Sequence, residues 1–199
     1  MDDLAILTEY ERRRLREKRV VIISGDIDTA SAHEFIEDIH MLIQEGSRDP
    51  VTIVICSPGG NVFSGLAIIR AIRLAKKNGM RVIGEVHGFA ASMAFFILQC
   101  CDERIMGSLD ILMAHGLTTG FVGDMKNMEA ENKLLGYWHR ELADLIADRC
   151  VGEYKEPGFW FEVLRDNTPQ WYTADECIEM GIVDRIDGYD QNKEDSQQS

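Results

Sequence analysis

Apolar positions along this chain follow two rhythms, continuous in short runs and helical in longer stretches, and the two take turns. Val20-Val21-Ile22-Ile23 is a short apolar run closed by Ser24-Gly25-Asp26, the signature of a buried strand ending in a turn. Over residues 29–45 the apolar side chains Ala32, Phe35, Ile36, Ile39, Leu42 and Ile43 recur at helical spacing, with Thr29 or Ser31 available as a cap. Asp49-Pro50 breaks that helix. Val51-Thr52-Ile53-Val54-Ile55-Cys56 is β-branched and nearly continuous, as a strand covered on both faces requires. Ser57-Pro58-Gly59-Gly60 then reads as a turn, and Val62, Leu66, Ile69 and Ile72 mark a second amphipathic helix. The cycle repeats with a strand over 81–86, a turn at His87-Gly88-Phe89 and a helix over 91–99. Such alternation predicts a layered α/β fold with largely parallel strands and right-handed crossovers. Ligands in these sheets bind at the carboxyl ends of the strands, where both Gly59-Gly60 and Ser92 fall.

Beyond a strand at Ile111-Leu112-Met113-Ala114, spaced glycines (Gly116, Gly120, Gly123) lead into the longest helical pattern, residues 124–149. Its apolar positions Met128, Leu134, Leu135, Trp138, Leu142, Leu145 and Ile146 predict one buried face, packed on the chain's own core or on a partner. The wholly polar tail 190–199 is expected to be disordered. With 199 residues, 45% of them hydrophobic, and no linker-like stretch, one domain is expected. The longest apolar runs are too short to span a bilayer, and Met1-Asp2-Asp3 is unlike a signal peptide, so a soluble, cytoplasmic protein with no membrane partner is expected. Five cysteines, two of them adjacent (Cys100-Cys101), suit a reducing compartment, and no Cys/His spacing suggests a metal site. A net charge of −13 argues against nucleic acid as a partner. The one basic run, Arg12-Arg13-Arg14-Leu15-Arg16, is expected to be a solvated helix face or a subunit contact.

The candidate chemistry centres on Ser92, set among small residues in Ala90-Ala91-Ser92-Met93-Ala94 at the expected start of a helix. Free backbone N–H groups and the positive dipole end there favour a developing oxyanion, which suits acyl transfer. Taken alone, however, Ser92 is better explained as an N-cap. Gly59-Gly60 offers a second source of backbone donors, although glycine often serves only to permit positive φ. His115, at the end of a strand, is a candidate base, with His87 as its rival; His33, His40 and His139 lie on helices among charges and read as surface groups. Asp166, in Leu164-Arg165-Asp166-Asn167, is by residue type one of many carboxylates.

Together, several ordered segments resemble the proteolytic subunit of the Clp protease, the ClpP family of serine peptidases. They are Arg19 to Ile27, Ile55-Cys56-Ser57-Pro58-Gly59-Gly60, Gly88-Phe89-Ala90-Ala91-Ser92-Met93, Met113-Ala114-His115, Gly120-Phe121-Val122-Gly123, and Arg165-Asp166-Asn167 with Ala174-Asp175-Glu176 and Gly181-Ile182-Val183-Asp184. The resemblance implies a crotonase-like ββα spiral (an α/β fold) over residues 19–189, after an N-terminal segment 1–18, with a protruding handle helix over about 117–149. It implies Ser92 as nucleophile, His115 as general base and acid, Asp166 as the group that orients the histidine, and the N–H groups of Gly60 and Met93 as the oxyanion hole. It further implies a homo-oligomer of two stacked heptameric rings cutting peptides or unfolded proteins, no cofactor in the chain itself, and ATP used only by a partner AAA+ unfoldase.

The chain departs from the family pattern in several places. Ala94-Phe95-Phe96 and Gly116-Leu117 replace a glycine and a Gln-Pro, which is expected to alter substrate-strand binding and pocket shape. Thr168-Pro169-Gln170 reads as a small insertion before Trp171-Tyr172-Thr173, leaving Asp175 as the second choice of acid. The eighteen residues before Arg19 are fewer than the family's axial loop uses. Two rival readings are a coenzyme-A-dependent hydratase or isomerase of the same fold and a catalytically silent ring subunit.

Overall fold

A computed structural model describes residues 3–118 and 125–188. The chain opens with α1 (Asp3–Glu17) and β1 (Val20–Ile27), then alternates through α2 (Thr29–Gln44), β2 (Val51–Gly60), α3 (Val62–Lys77), β3 (Val82–Ala91) and α4 (Met93–Gln99). It continues with β4 (Glu103–Gly107), β5 (Ile111–Ala114), α5 (Met125–Ala147), α6 (Pro157–Asp166), β6 (Gln170–Tyr172), α7 (Ala174–Met180) and β7 (Arg185–Asp187). The sheet runs β1-β2-β3-β4-β7 with every neighbour parallel. Strand β3 forks: its first half pairs with β4, while Phe89, Ala90 and Ala91 pair with β5, on which β6 lies antiparallel. Among the described residues no helix is long and apolar enough to cross a membrane.

Two expected turns are strand instead. β2 continues through Ser57-Pro58-Gly59-Gly60 and β3 through His87-Gly88-Phe89, each past an irregularity in its pairing. Helix α4 therefore starts at Met93 and not at Ala91. It is buried on every side, as an all-round apolar helix must be. Ala94, Phe95 and Phe96 are fully buried in it, with Phe95 beside both Phe96 and Trp160. These residues fill the core.

The basic run is divided, with Arg13 and Arg14 exposed and Arg12 and Arg16 partly buried. Arg12 and Arg16 turn inward from α1 onto the buried carboxylate of Asp38 on α2, at 2.8 and 2.6 Å, while Arg13 stays on the exposed side. Removing one partner from such a buried set typically costs about 3–5 kcal/mol, so these pairs fix α1 to the body of the fold. At the other end of the sheet Arg104, 1% exposed, forks onto Asp184 with Nε and Nη2 at 2.9 and 2.8 Å and donates Nη1 to Gln99 Oε1 at 2.7 Å. Burial works against the charge of Asp184, yet the hydrogen bonds and positive charge of Arg104, aided by Arg149, hold its carboxyl below the usual carboxylate range. Cys100, Cys101, Cys150 and Cys177 are free and buried; desolvation pushes the Cys100 and Cys150 thiols up to about 11 and the other two higher still.

Candidate active site

The site begins where β2 and β3 end side by side. Ser57, fully buried, donates its hydroxyl to Gly25 O at 2.6 Å and accepts Gly59 N–H at 3.1 Å, which sets the path of the double glycine. Gly60 pairs with Ile27, and a β-carbon on it would fall 2.3 Å from Ile27 O. Gly59 has φ 93°, and a β-carbon there would meet Ala91 O and Ser92 Cβ at 2.7 Å and Met93 N at 2.8 Å. Only glycine permits both the backbone conformation and the approach. The double-glycine turn is thus in direct contact with the serine turn, and Gly60 and Met93 belong to two touching stretches of main chain.

Ser92 itself has φ 53° and ψ −122°, a conformation a side-chain-bearing residue occupies only when its surroundings enforce it. It stands at the N-cap position of α4, but its side chain makes no cap hydrogen bond, so the capping explanation for this serine falls away. Its backbone N–H instead bonds to Met113 O at 2.9 Å, extending the β3–β5 pairing. Met93 is the first residue of α4, and an N–H at that position has no acceptor within the helix.

His115 follows Ala114 at the end of β5, next to β3, so base and nucleophile leave adjacent parallel strands at the same edge. Its Nδ1 lies 2.5 Å from Gly116 O and 3.3 Å from Asn167 Oδ1. Gly116 is buried, and a β-carbon on it would sit 2.0 Å from Leu164 O, so the segment after β5 is pressed against the carboxyl end of α6. Asp166 is the last residue of α6; its side chain is exposed and makes no hydrogen bond or ion pair with the described residues. Asp175 sits in the first turn of α7, likewise exposed. His87 is exposed, 3.8 Å from Glu85.

Three residues that shape the site escaped the sequence reading of their roles. Ser57 carried a signal, since a hydroxyl just before Pro-Gly-Gly is placed to bond the turn it enters. Asn167 closes α6 in the left-handed conformation (φ 57°), the habit of an asparagine just past a helix end. His139 is partly buried on α5, not a surface group, and its Nε2 accepts Leu117 N–H at 2.9 Å. Burial lowers its pKa, consistent with a neutral ring that can accept. Nothing in the local sequence of α5 marks this long-range bond. Beside the glycine turn, Phe63 near the start of α3 leaves 65% of its surface exposed and meets Trp138 edge-on at 5.5 Å.

The Clp protease family model matches residues 7–189. The proteolytic subunit 3 of an ATP-dependent Clp protease from Rhodococcus jostii is 29% identical over 178 residues, covering 87% of this chain and 83% of its own. Subunit 1 from Streptomyces avermitilis is 29% identical over 176 residues (87% and 77%), and subunit 1 from Corynebacterium jeikeium 28% over 180 residues (89% and 90%). Because the match spans residues 7–189, from within α1 past β7, this chain belongs to the Clp protease family, with that family's ββα spiral fold and serine-type peptidase activity.

Proposed function

We propose that the chain cleaves peptide bonds through an acyl-enzyme on Ser92, with His115 as general base and acid and the N–H groups of Gly60 and Met93 as the oxyanion hole. The observation that carries this reading is the strained backbone of Ser92 (φ 53°) held against Gly59. That conformation lifts the hydroxyl out of a capping role at the head of a buried helix. His115 Nε2 takes the hydroxyl proton as Oγ attacks the substrate carbonyl, and the new oxyanion is met by the two N–H groups. Collapse of the tetrahedral intermediate breaks the C–N bond, and His115 returns its proton to the departing amine. Water then attacks the acyl-enzyme by the same route. The exposed Phe63 ring, three residues beyond Gly60, supplies an apolar wall for a substrate side chain.

On this reading residues 19–189 are the peptidase domain, the reaction draws on no cofactor, and ATP is spent only by a partner unfoldase. The cytoplasm is its place of action. The active form is a homo-oligomer of stacked heptameric rings; the exposed Met128, Leu134 and Tyr137 on α5 support contact with a second copy through that helix. A fluorophosphonate probe should label Ser92 in the assembled protein, and Ser92→Ala should lose both labelling and peptide turnover. A fully active Ser92→Ala variant would refute the assignment, and sizing of the purified particle tests the ring.

A further inference from the structure

We infer that Asn167, and not a carboxylate, is the residue that positions His115. The inference rests on the assignment of Ser92 and His115 as nucleophile and base. A histidine that accepts a serine proton on Nε2 must carry its own proton on Nδ1, and an acceptor facing Nδ1 selects that tautomer. The two groups facing it are the carbonyl of Gly116 at 2.5 Å and the amide oxygen of Asn167 at 3.3 Å. Both are neutral, and no carboxylate of the described residues forms an ion pair with His115.

Two further observations single out Asn167 from its neighbours. Among the described residues only Arg19, Ser92 and Asn167 combine a side chain with positive φ, so two of these three strained positions flank the imidazole's chemistry. Asn167 Oδ1 would also lie 3.2 Å from a β-carbon on Gly116, which shows the amide packed against the residue next to the base. Asp166 belongs to the last turn of α6, whereas Asn167 turns out of the helix in the left-handed conformation. That one-residue change of direction puts the amide, and not the acid, beside Nδ1. An amide fixes the tautomer without placing a full negative charge against the imidazolium that forms during acylation, so the base is oriented but less strongly stabilised than beside a carboxylate.

The test is the rate at which a fluorophosphonate acylates Ser92 in the full assembled chain, followed against pH alongside peptide kcat and KM. Asn167→Gly keeps the left-handed backbone and removes the amide; it should lower the labelling rate and kcat at least about tenfold with KM and melting temperature little changed. Asn167→Asp should restore the rate to wild type or above and move the acid limb of the profile to higher pH, because a carboxylate then faces the imidazolium. Asp166→Asn should stay within about threefold of wild type, as a surface substitution does. Full activity in Asn167→Gly, or a loss in Asp166→Asn as deep as that of Ser92→Ala, overturns the role of Asn167. Either result leaves the Ser92 assignment standing, since that is judged by whether Ser92 itself is labelled.

Discussion

The two halves of the site are held by different means. The nucleophile half, Ser57 to Gly60 with Ser92 and Met93, sits at the ends of the neighbouring parallel strands β2 and β3, and its shape follows from main-chain contacts so close that a β-carbon on either glycine would collide with backbone. The base half hangs on the four-residue strand β5 and is fixed from outside the sheet by the Asn167 amide, the packing of Gly116 on α6 and the bond from Leu117 to His139. A main-chain scaffold admits almost no side-chain variation, whereas side-chain struts are replaceable one at a time. The half that must stabilise an oxyanion is thus built for rigidity, and the half that moves a proton is built from adjustable parts.

Substitutions should separate these halves by size of effect. Ser92→Ala should lower kcat by at least about 10⁴-fold, while Ser92→Gly, which accepts φ 53° without strain, should be equally inactive yet more stable by roughly 1 kcal/mol. A lower urea midpoint for Ser92→Gly would contradict the idea that strain is stored there. Gly59→Ala should follow, costing about 2–4 kcal/mol because Ala91 O and Met93 N cannot both retreat, and abolishing turnover with it. Gly116→Ala meets an even closer atom, Leu164 O, but its backbone lies outside the positive-φ region that strains Gly59→Ala whatever the space. It should therefore cost less stability than Gly59→Ala while still reducing activity about tenfold or more by displacing the amide from His115. If chemical denaturation ranks the two glycines the other way, the contrast between rigid and adjustable halves fails. Ser57→Ala should cost about 1–3 kcal/mol, since it strips the buried Gly59 N–H of its acceptor.

The smallest effect is a pH dependence confined to the base half. Burial holds the pKa of His139 below its usual 6.5, so above that pH the ring is neutral in both folded and unfolded chains and contributes no slope. As pH falls through 6.5 the unfolded chain takes up the proton first, and stability declines until the folded ring is protonated too and Nε2 can no longer accept from Leu117. A melting-temperature series from pH 7 to about 5 should show this decline in wild type and a shallower one in His139→Gln. Equal slopes in both proteins would remove His139 from the account.

The sequence made the nucleophile half legible because its constraints are local: Ser-Pro-Gly-Gly and Ala-Ala-Ser-Met-Ala each announce a backbone that must bend or approach closely. The strand-helix order from Val20 to Gln99 was readable for the same reason, since β1 and β2 both open with runs of β-branched residues. What the pattern could not show is that Ser57 to Gly60 and His87 to Phe89 stay in the sheet, because pairing after an irregularity depends on the neighbouring strand and not on propensity. That Arg12 and Arg16 of the basic run turn inward was not legible, because their partner, Asp38, lies on another helix. Asp166 and Asn167 are adjacent, and which of them meets His115 is decided by where α6 ends, the least certain feature of any helix read from sequence. The acid-for-amide question is therefore a question about one residue of helix length.

The four buried thiols carry a practical consequence. Because desolvation holds them protonated in the folded chain, an alkylating reagent reaches Cys100, Cys101, Cys150 and Cys177 only when the surrounding structure opens. Cys150 follows α5 and Cys177 lies on α7, on the base side, whereas Cys100 and Cys101 close α4, the helix headed by Ser92. Mass-resolved alkylation of the native protein is thus a stopwatch already built into the molecule, timing the opening of each half by the order in which its own sulfurs gain mass.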